Sequence, residues 1–93
     1  MRFLVTAYCP CEKCMGHNKG YKKTALGTAP RPHRTLAAPS IVKLGTKIHL
    51  QGYGIYIVED RCAFNENHRI DMFFSNHHEV LAWGRKYVDG YVQ

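Results

Sequence analysis

Apolar and polar residues alternate in the first part of the chain, which predicts a half-buried β-strand over residues 2–8. Successive side chains of a strand point to opposite faces, so Phe3, Val5 and Ala7 share one face of this strand. An apolar row of this kind needs a second surface to cover it. The pattern therefore predicts that the first strand contributes to a β-type core.

Four later stretches also predict strands. Residues 44–50 and residues 55–60 carry β-branched and aromatic side chains and flank a glycine-rich turn at residues 52–54. Two strands around such a turn are typical of a β-hairpin. Residues 69–74, which read RIDMFF, and residues 86–93, which read KYVDGYVQ, predict two further strands.

One α-helix is predicted, at about residues 76–85. Asn76 and Glu79 have the spacing of a capping box, in which the first residue caps the helix and the second reaches back to it. The apolar side chains that follow are Val80, Leu81 and Trp83. Gly84 then stands where helices commonly end, so the predicted helix is short.

The remaining stretches predict irregular structure. Residues 9–21 are rich in Cys, Gly, Lys and Asn and predict a loop. Residues 24–40 contain three prolines and one glycine, which exclude a helix. About six short strands and one helix in a single domain, residues 1–93, predict a mainly β fold, a compact barrel with little helical cover.

Charge and composition limit the functional classes. Lys and Arg outnumber Asp and Glu by 13 to 7, giving a formal net charge of +6. This balance suits an anionic partner such as the bacterial cell wall or nucleic acid, although it also serves solubility. The hydrophobic fraction of 45% indicates a folded globule and excludes a disordered chain.

The chain has no stretch that approaches the roughly eighteen apolar residues of a membrane span. Residues 1–8 also lack the apolar core and the cleavage site of a signal peptide. We therefore expect a monomeric domain with no membrane span and no signal peptide in this chain.

Two of the seven acidic residues stand in apolar surroundings. Asp60 follows the apolar segment IYIV, and Asp71 lies inside RIDMFF. Loss of hydration raises the pKa of a carboxyl group, and a second carboxylate nearby raises it further, which suits a general acid. The alternative is that each aspartate accepts backbone N–H hydrogen bonds at a loop end, and the spacing alone does not decide between the two.

Four cysteines form the second chemical feature. Cys9, Cys11 and Cys14 make a C-x-C-x-x-C pattern, and Cys62 stands two residues after Asp60. Such a set is compatible with a structural zinc site, with disulfides or with free thiols. Cys62 and His68, six residues apart, are weak evidence for a cysteine nucleophile with a histidine base. His77 and His78, at the predicted helix start, are expected to face solvent or to lie near the barrel.

An ordered set of short motifs runs through nearly the whole chain: VTAY, TALGT, LGTKI, GYG, VEDR, RIDMFF and NHHEVLAWGRK. This set resembles the three-aspartate (3D) domain of bacterial cell-wall enzymes, which occurs in membrane-bound lytic transglycosylases and in stationary-phase survival and phage-associated proteins. Its most specific part is an aspartate, a loop and then Arg-Ile-Asp before aromatic residues, which Asp60 and Asp71 match. The resemblance implies a small six-stranded double-psi β-barrel with one short α-helix.

The resemblance also implies an activity, cleavage of the β-1,4 bond between N-acetylmuramic acid and N-acetylglucosamine in peptidoglycan glycan strands. By the family motif, Asp71 is the expected general acid and base that gives 1,6-anhydro products, and Asp60 is its neighbour in the cleft. The expected substrate-binding residues are Tyr8, Thr24, Gly27 and Arg69. No cofactor is needed for this chemistry, and the implied setting is the bacterial cell envelope, a phage or the secreted fraction.

The chain departs from the family pattern at three places. Where the family has an Ala-Val-Asp-Pro-like segment before LGT, this chain has Ala38 and Pro39 and lacks the first aspartate. Leu26 replaces a small hydroxyl residue, and Cys62 and Ala63 replace glycines. Two alternatives stay open: a non-catalytic barrel that binds cell wall or glycan, and a zinc-stabilised module that binds nucleic acid through its cysteine loop and positive charge.

Overall fold

The computed structural model describes residues 1–10, 23–62 and 68–93. Within these residues, six strands close into a barrel in the order β1-β5-β2-β4-β3-β6. The strands are β1 (Arg2–Tyr8), β2 (Thr35–Ala38), β3 (Lys47–Leu50), β4 (Gly54–Arg61), β5 (Arg69–Phe73) and β6 (Lys86–Val92). In the described residues, one helix, α1 (His77–Trp83), connects β5 to β6.

The barrel mixes parallel and antiparallel pairing. Strand β1 runs parallel to β5, and β2 runs parallel to β4. The remaining four pairs, β1–β6, β2–β5, β3–β4 and β3–β6, are antiparallel. Among the described strands, closure of the barrel leaves no long unpaired edge. The predicted mainly β fold, a six-stranded barrel with one short helix, is confirmed.

The sequence pattern did not predict strand β2, and it predicted the start of β3 three residues too early. All four residues of β2, TLAA, are buried, so the strand shows no alternation of apolar and polar positions, and prolines stand close to both of its ends. Strand β3 begins at Lys47 rather than at residue 44. The preceding residues form turns instead, in which Thr46 N–H donates to the Lys43 carbonyl and Gly45, at φ 91°, donates to the Val58 carbonyl.

Helix α1 confirms the predicted capping box. The Asn76 side-chain oxygen accepts from Glu79 N–H at 2.9 Å, and the Asn76 amide donates to the Glu79 carboxylate at 2.9 Å. The helix is shorter than predicted because Gly84, at φ 68°, ends it after Trp83. The Trp83 indole N–H donates to the Val5 carbonyl at 3.0 Å, which fixes the helix on β1.

The core fills the barrel with apolar side chains from all six strands. Its members are Phe3, Val5, Leu36, Ala38, Ile48, Leu50, Tyr56, Val58, Ile70, Met72 and Val88. Phe3 and Val5 point inward as the alternation of β1 predicts, whereas Ala7 is only half-buried. The opposite face of β1 carries Thr6 and Tyr8, and these two side chains enter the site described below.

A buried polar group supports the wall of the barrel between β2 and β4. The Thr35 hydroxyl donates to the Glu59 carboxylate at 2.6 Å and accepts from Arg31 N–H at 2.9 Å. Arg34 completes the group with an ion pair to Glu59 at 3.1 Å. Thr35 and Glu59 are only 0% and 3% exposed, so their polar atoms depend on one another for hydrogen bonds.

Substitution of Thr35 by valine keeps the shape of the side chain but deprives Glu59 and the Arg31 N–H of a partner. We expect the free energy of unfolding to fall by about 1–3 kcal/mol, the cost of leaving buried polar groups unsatisfied. Urea denaturation measures this change. Thr46→Val is the matched control, because the Thr46 hydroxyl bonds a carbonyl in an exposed turn. Equal losses in the two variants would contradict the structural role of Thr35.

No helix in the described parts of the chain is long and apolar enough to cross a membrane.

Candidate active site

Strand β2 brings Asp60 and Asp71 to the same part of the barrel wall. Ala37 of β2 pairs with Asp60 on one side and with Asp71 on the other. Neighbouring strands lie about 4.8 Å apart, so the two aspartate backbones stand on the order of 10 Å from each other across β2. Ala37, whose small side chain is 3% exposed, lies between them in the sheet.

A register shift in β4 sets the orientation of Asp60. Leu36 pairs with Val58 and the next residue, Ala37, pairs with Asp60, so Glu59 is an extra residue on β4. Without this bulge, Asp60 would continue the inward row of Tyr56 and Val58. One inserted residue reverses the facing of the side chains that follow. The bulge therefore moves Asp60 out of the core and aligns it with Ala37.

Asp71 is a largely buried carboxyl group with two polar neighbours. The Thr6 hydroxyl, on the adjacent strand β1 and in register with Asp71, donates a short hydrogen bond to its carboxylate. Burial raises the pKa of Asp71 above its ordinary value, and this effect outweighs the Thr6 hydrogen bond and the positive charge of Arg69, both of which lower it. The fold thus favours the protonated form of this acid.

Asp60 has a different environment. Its Oδ1 accepts from Ala25 N–H at 3.1 Å and from Arg61 N–H at 2.9 Å, and its Oδ2 lies 3.4 Å from the Tyr8 hydroxyl. A carboxylate held by several donors has few lone pairs left for chemistry. Asp60 therefore anchors the residues around it, as in the backbone-binding alternative for these aspartates.

The Tyr8 hydroxyl lies close enough to both carboxyl groups for their charges to affect its pKa. Its ring packs edge-on against Phe73, with the ring centroids 5.4 Å apart. Burial, followed by the nearby charges of Asp60, Asp71 and Glu59, raises the pKa of the Tyr8 hydroxyl well above its ordinary value. The Tyr8 hydroxyl lies as a hydrogen-bond donor toward Asp60.

The segment TALGT forms a tight turn beside Asp60. Thr24 and Thr28 close it through their hydroxyls at 2.7 Å, and the Leu26 N–H donates to the Glu59 carbonyl at 2.9 Å. Gly27 adopts φ 94°, a conformation that favours glycine. Thr24 is buried and its hydroxyl is used within the turn, whereas Gly27 and Leu26 are exposed. Of the residues predicted to bind substrate, Thr24 therefore shapes the turn, and Gly27 lies at its surface.

Arg69 lies on β5, two residues before Asp71, and its side chain is partly buried. Its positive charge acts on Asp71 and lowers the pKa of that carboxyl group, although burial dominates. The structure thus brings Tyr8 and Asp60 into contact and Arg69 close to Asp71, and the TALGT turn binds Asp60 through Ala25.

The cysteine pattern is only partly within the described residues. Cys11 and Cys14 lie outside them, as do residues 63–67 between the two aspartates. Cys9 is fully buried, and its Sγ lies 3.6 Å from Nδ1 of His77. The side chains described in residues 1–10, 23–62 and 68–93 include no group of three His, Cys, Asp or Glu that could hold a metal ion.

The histidines at the helix start differ from each other. His78 is exposed, as expected for a solvent-facing residue, whereas His77 is half-buried and contacts Cys9. His68, at the start of β5, is exposed, and its ring lies edge-on to Phe3 at 6.1 Å.

Three residues of the site were not identified from the sequence. Thr6 bonds Asp71, Ala37 separates the two aspartates, and Glu59 forms the bulge that turns Asp60. The alternation of β1 does place Thr6 and Tyr8 on one face, which is a signal for Thr6. The roles of Ala37 and Glu59 depend on the pairing of strands that are distant along the chain.

The raised pKa of Asp71 predicts a pH dependence of stability. The folded protein binds this proton more tightly than the unfolded chain does, so its stabilising effect is complete below the ordinary pKa of 3.8 and is lost as pH rises through the folded-state value. Asp71→Asn, which cannot ionise, is expected to melt a few degrees above the unsubstituted protein at neutral pH. The difference should vanish in acid, and thermal melts across the pH range measure it. An equal Tm of both proteins at neutral pH would contradict the burial argument.

The chain is similar to known proteins. The 3D domain model matches residues 34–93, which include both Asp60 and Asp71. The chain is also 33% identical, over 86 residues, to a Bacillus subtilis (strain 168) protein named "Putative cell wall shaping protein YabE". That alignment covers 89% of this chain and 20% of the relative, so the chain spans about a fifth of the relative's length. The chain belongs to the 3D domain family.

Proposed function

We propose that this domain is a lytic transglycosylase that cleaves the β-1,4 bond between N-acetylmuramic acid and N-acetylglucosamine in peptidoglycan. The observation that carries the proposal is the environment of Asp71, a largely buried carboxyl group whose pKa is raised and which lies across Ala37 from Asp60. A raised pKa favours the protonated form of Asp71, the form that a general acid donates from.

Asp71 acts twice in this reaction. It first donates its proton to the glycosidic oxygen as the bond from that oxygen to C1 of N-acetylmuramic acid breaks. The C6 hydroxyl of the same sugar then attacks C1, and its proton passes to the Asp71 carboxylate. The products are a free 4-hydroxyl on the leaving N-acetylglucosamine and a 1,6-anhydro ring, and Asp71 is protonated again. No water is consumed.

The neighbours of Asp71 suit both of its charge states. The Thr6 hydroxyl donates to the carboxylate when Asp71 is charged and can accept from the carboxyl group when Asp71 is protonated. The charge of Arg69 stabilises the carboxylate that forms after the first proton transfer. Both groups lower the pKa of Asp71 and so oppose the effect of burial.

The environment of Asp60 supports a reaction with one acid rather than two. Ordinary glycoside hydrolysis uses a second carboxylate as a nucleophile or to activate water. The Asp60 carboxylate instead lies against two backbone N–H groups and the Tyr8 hydroxyl. In the proposed mechanism Asp60 holds the TALGT turn and Tyr8 along the cleft, and the C6 hydroxyl replaces the water nucleophile.

The comparisons support a cell-wall substrate. The relative is named a putative cell wall shaping protein, and by analogy we propose that this domain acts in the bacterial cell envelope on peptidoglycan glycan strands. The net charge of +6 favours association with an anionic wall.

Digestion of purified peptidoglycan in oxygen-18 water tests the reaction type. The proposal predicts muropeptides that end in 1,6-anhydro rings and carry no oxygen-18, because the attacking oxygen comes from the sugar. Reducing ends labelled with oxygen-18 would identify a hydrolase and refute the transglycosylase mechanism.

A non-catalytic wall-binding barrel is the second candidate, and one observation favours it. At the position of the family's first aspartate the chain has Ala38 and Pro39, both buried, so no carboxylate stands there. This candidate predicts sedimentation of the protein with insoluble peptidoglycan and no release of soluble muropeptides. Release of anhydro products by the purified domain would exclude it.

A further inference from the structure

We propose that three side chains on the outside of the barrel, Tyr91, His49 and Ile55, form a second binding surface for the glycan strands of peptidoglycan. This set, called the outer row below, lies on β6, β3 and β4. The inference rests on the cell-wall substrate of the proposed function, but it does not depend on the reaction at Asp71. It assigns a role to exposed side chains that the proposed reaction does not use.

The register of three neighbouring strands brings the outer row together. His49 of β3 pairs with Tyr91 of β6 on one side and with Ile55 of β4 on the other. Their neighbours along the strands, such as Ile48 and Tyr56, are buried in the core. Because successive side chains of a strand point to opposite faces, the three residues of the outer row share the outer face of the barrel.

The outer row presents large apolar side chains to solvent. Tyr91 is 56% exposed and Ile55 is 49% exposed. Ile57, which follows Ile55 on the same face of β4, is half-buried and extends this apolar surface. Single exposed apolar residues are common on proteins, whereas several that lie side by side indicate a site of interaction. The outer row is therefore a candidate contact surface.

The Tyr91 ring is held in place although it is exposed. Its hydroxyl and Nδ1 of His49 form a hydrogen bond of 2.8 Å, and the two rings are tilted against each other with their centroids 5.0 Å apart. A side chain that is already fixed loses little conformational entropy when a ligand binds. The pair is thus a preorganised aromatic surface that also carries polar atoms.

The chemistry of this surface matches a sugar polymer. A pyranose ring has a face of C–H groups that packs on an aromatic ring and a rim of hydroxyl groups that form hydrogen bonds. Tyrosine and histidine likewise combine an apolar body with a polar tip. The N-acetyl groups of the glycan strand add methyl groups that can pack against Ile55 and Ile57.

Charge favours the wall polymer over a second copy of the chain as the occupant. Lys47, two residues from His49 on the same face of β3, is exposed and brings a positive charge to this side of the barrel. That charge complements the carboxylates of an anionic wall polymer. Two copies of the chain, each with a net charge of +6, repel one another.

The position of the outer row leaves the two aspartates accessible. In the closed order β1-β5-β2-β4-β3-β6, strand β6 is three strands away from β2 in either direction. On β4, Ile55 stands five residues before Asp60, which is on the order of 16 Å along a strand. A glycan strand on the outer row therefore leaves Asp60 and Asp71 free for a second strand.

Binding to insoluble peptidoglycan tests the proposal, with Asp71→Asn as the background in which the proposed cleavage is removed. Addition of Tyr91→Ala should lower the affinity, measured by co-sedimentation, by about tenfold, because the aromatic surface is lost. The matched control is Tyr87→Ala. Tyr87 lies four residues away on the same strand and is 63% exposed, but the Arg2 guanidinium covers its ring at 4.6 Å. This control should leave the affinity unchanged.

NMR of the unsubstituted protein provides a test that does not depend on how a variant folds. Soluble glycan fragments of alternating N-acetylglucosamine and N-acetylmuramic acid should shift the ring signals of Tyr91 and His49 and the methyl signals of Ile55. The ring signals of Tyr87 should stay in place. Tyr91→Phe, which keeps the ring and loses the hydroxyl, should bind within a few-fold of the unsubstituted protein.

Three results would overturn the proposal. They are equal affinities of the Tyr91→Ala and Tyr87→Ala proteins, ring signals of Tyr91 and His49 that glycan fragments do not shift, and a dimer that Tyr91→Ala dissociates in sedimentation equilibrium. The last result would assign the outer row to a second copy of the chain. Failure of the proposed reaction is a separate outcome: Tyr91-dependent binding without anhydro products would refute the reaction and support the outer row as a wall-binding surface.

Discussion

Asp71→Asn is expected to lower the rate of anhydro-muropeptide release by about 10²–10⁴-fold, the usual contribution of a positioned general acid. Asparagine has nearly the same shape and can keep the hydrogen bond with Thr6, but it has no proton to donate to the glycosidic oxygen. The fall should appear in kcat with little change in KM, because the carboxyl group acts in the transition state. Quantitative chromatography of muropeptides measures this rate.

The control for this experiment is Asp89→Asn. Asp89 lies exposed on β6, far around the barrel from β2, and removal of its charge changes the net charge by the same amount. We expect full activity from this variant. Equal losses in Asp71→Asn and Asp89→Asn would point to the charge of the whole domain, and unchanged activity in Asp71→Asn would remove Asp71 from the mechanism.

Asp60→Ala is expected to reduce kcat/KM by about tenfold to a hundredfold, mainly through a higher KM. The substitution removes the acceptor for Ala25 N–H and the partner of the Tyr8 hydroxyl, so the TALGT turn and the tyrosine lose their common anchor. Loss of these contacts should loosen the proposed substrate-binding region. Initial rates over a range of soluble glycan-strand concentrations separate the effect on KM from the effect on kcat.

Asp60→Asn separates anchoring from proton transfer. Its amide oxygen still accepts from the two backbone N–H groups, and its amide nitrogen can donate to the Tyr8 hydroxyl. We therefore expect this variant to stay within a few-fold of the unsubstituted protein. If Asp60→Asn lowers activity as much as Asp71→Asn does, both carboxyl groups take part in the reaction.

The sequence alone predicted the elements whose apolar and polar residues alternate, or that contain a local motif such as a glycine-rich turn or a capping box. The inward row of β1, the hairpin around Gly52 and the capping box at Asn76 follow from neighbouring residues alone. Strand β2 could not be found in this way, because four consecutive buried residues between prolines give no period.

The arrangement of the site depends on contacts that no local pattern contains. Asp60 and Asp71 were singled out by their apolar surroundings and by the family motif, but their common neighbour Ala37 follows only from the position of β2 in the barrel. The bulge at Glu59 likewise reverses the facing that simple alternation gives to Asp60. The contact of Cys9 with His77 joins residues that are 68 positions apart.

The central claim is that the fold raises the affinity of Asp71 for a proton and so prepares it as an acid. A carbon-13 NMR titration of the Asp71 carboxyl carbon measures this property directly, without substrate. The claim predicts a midpoint clearly above the ordinary value of 3.8, rising further in Thr6→Val, where the hydrogen bond that lowers the pKa is removed. A midpoint at or below the ordinary value would contradict it.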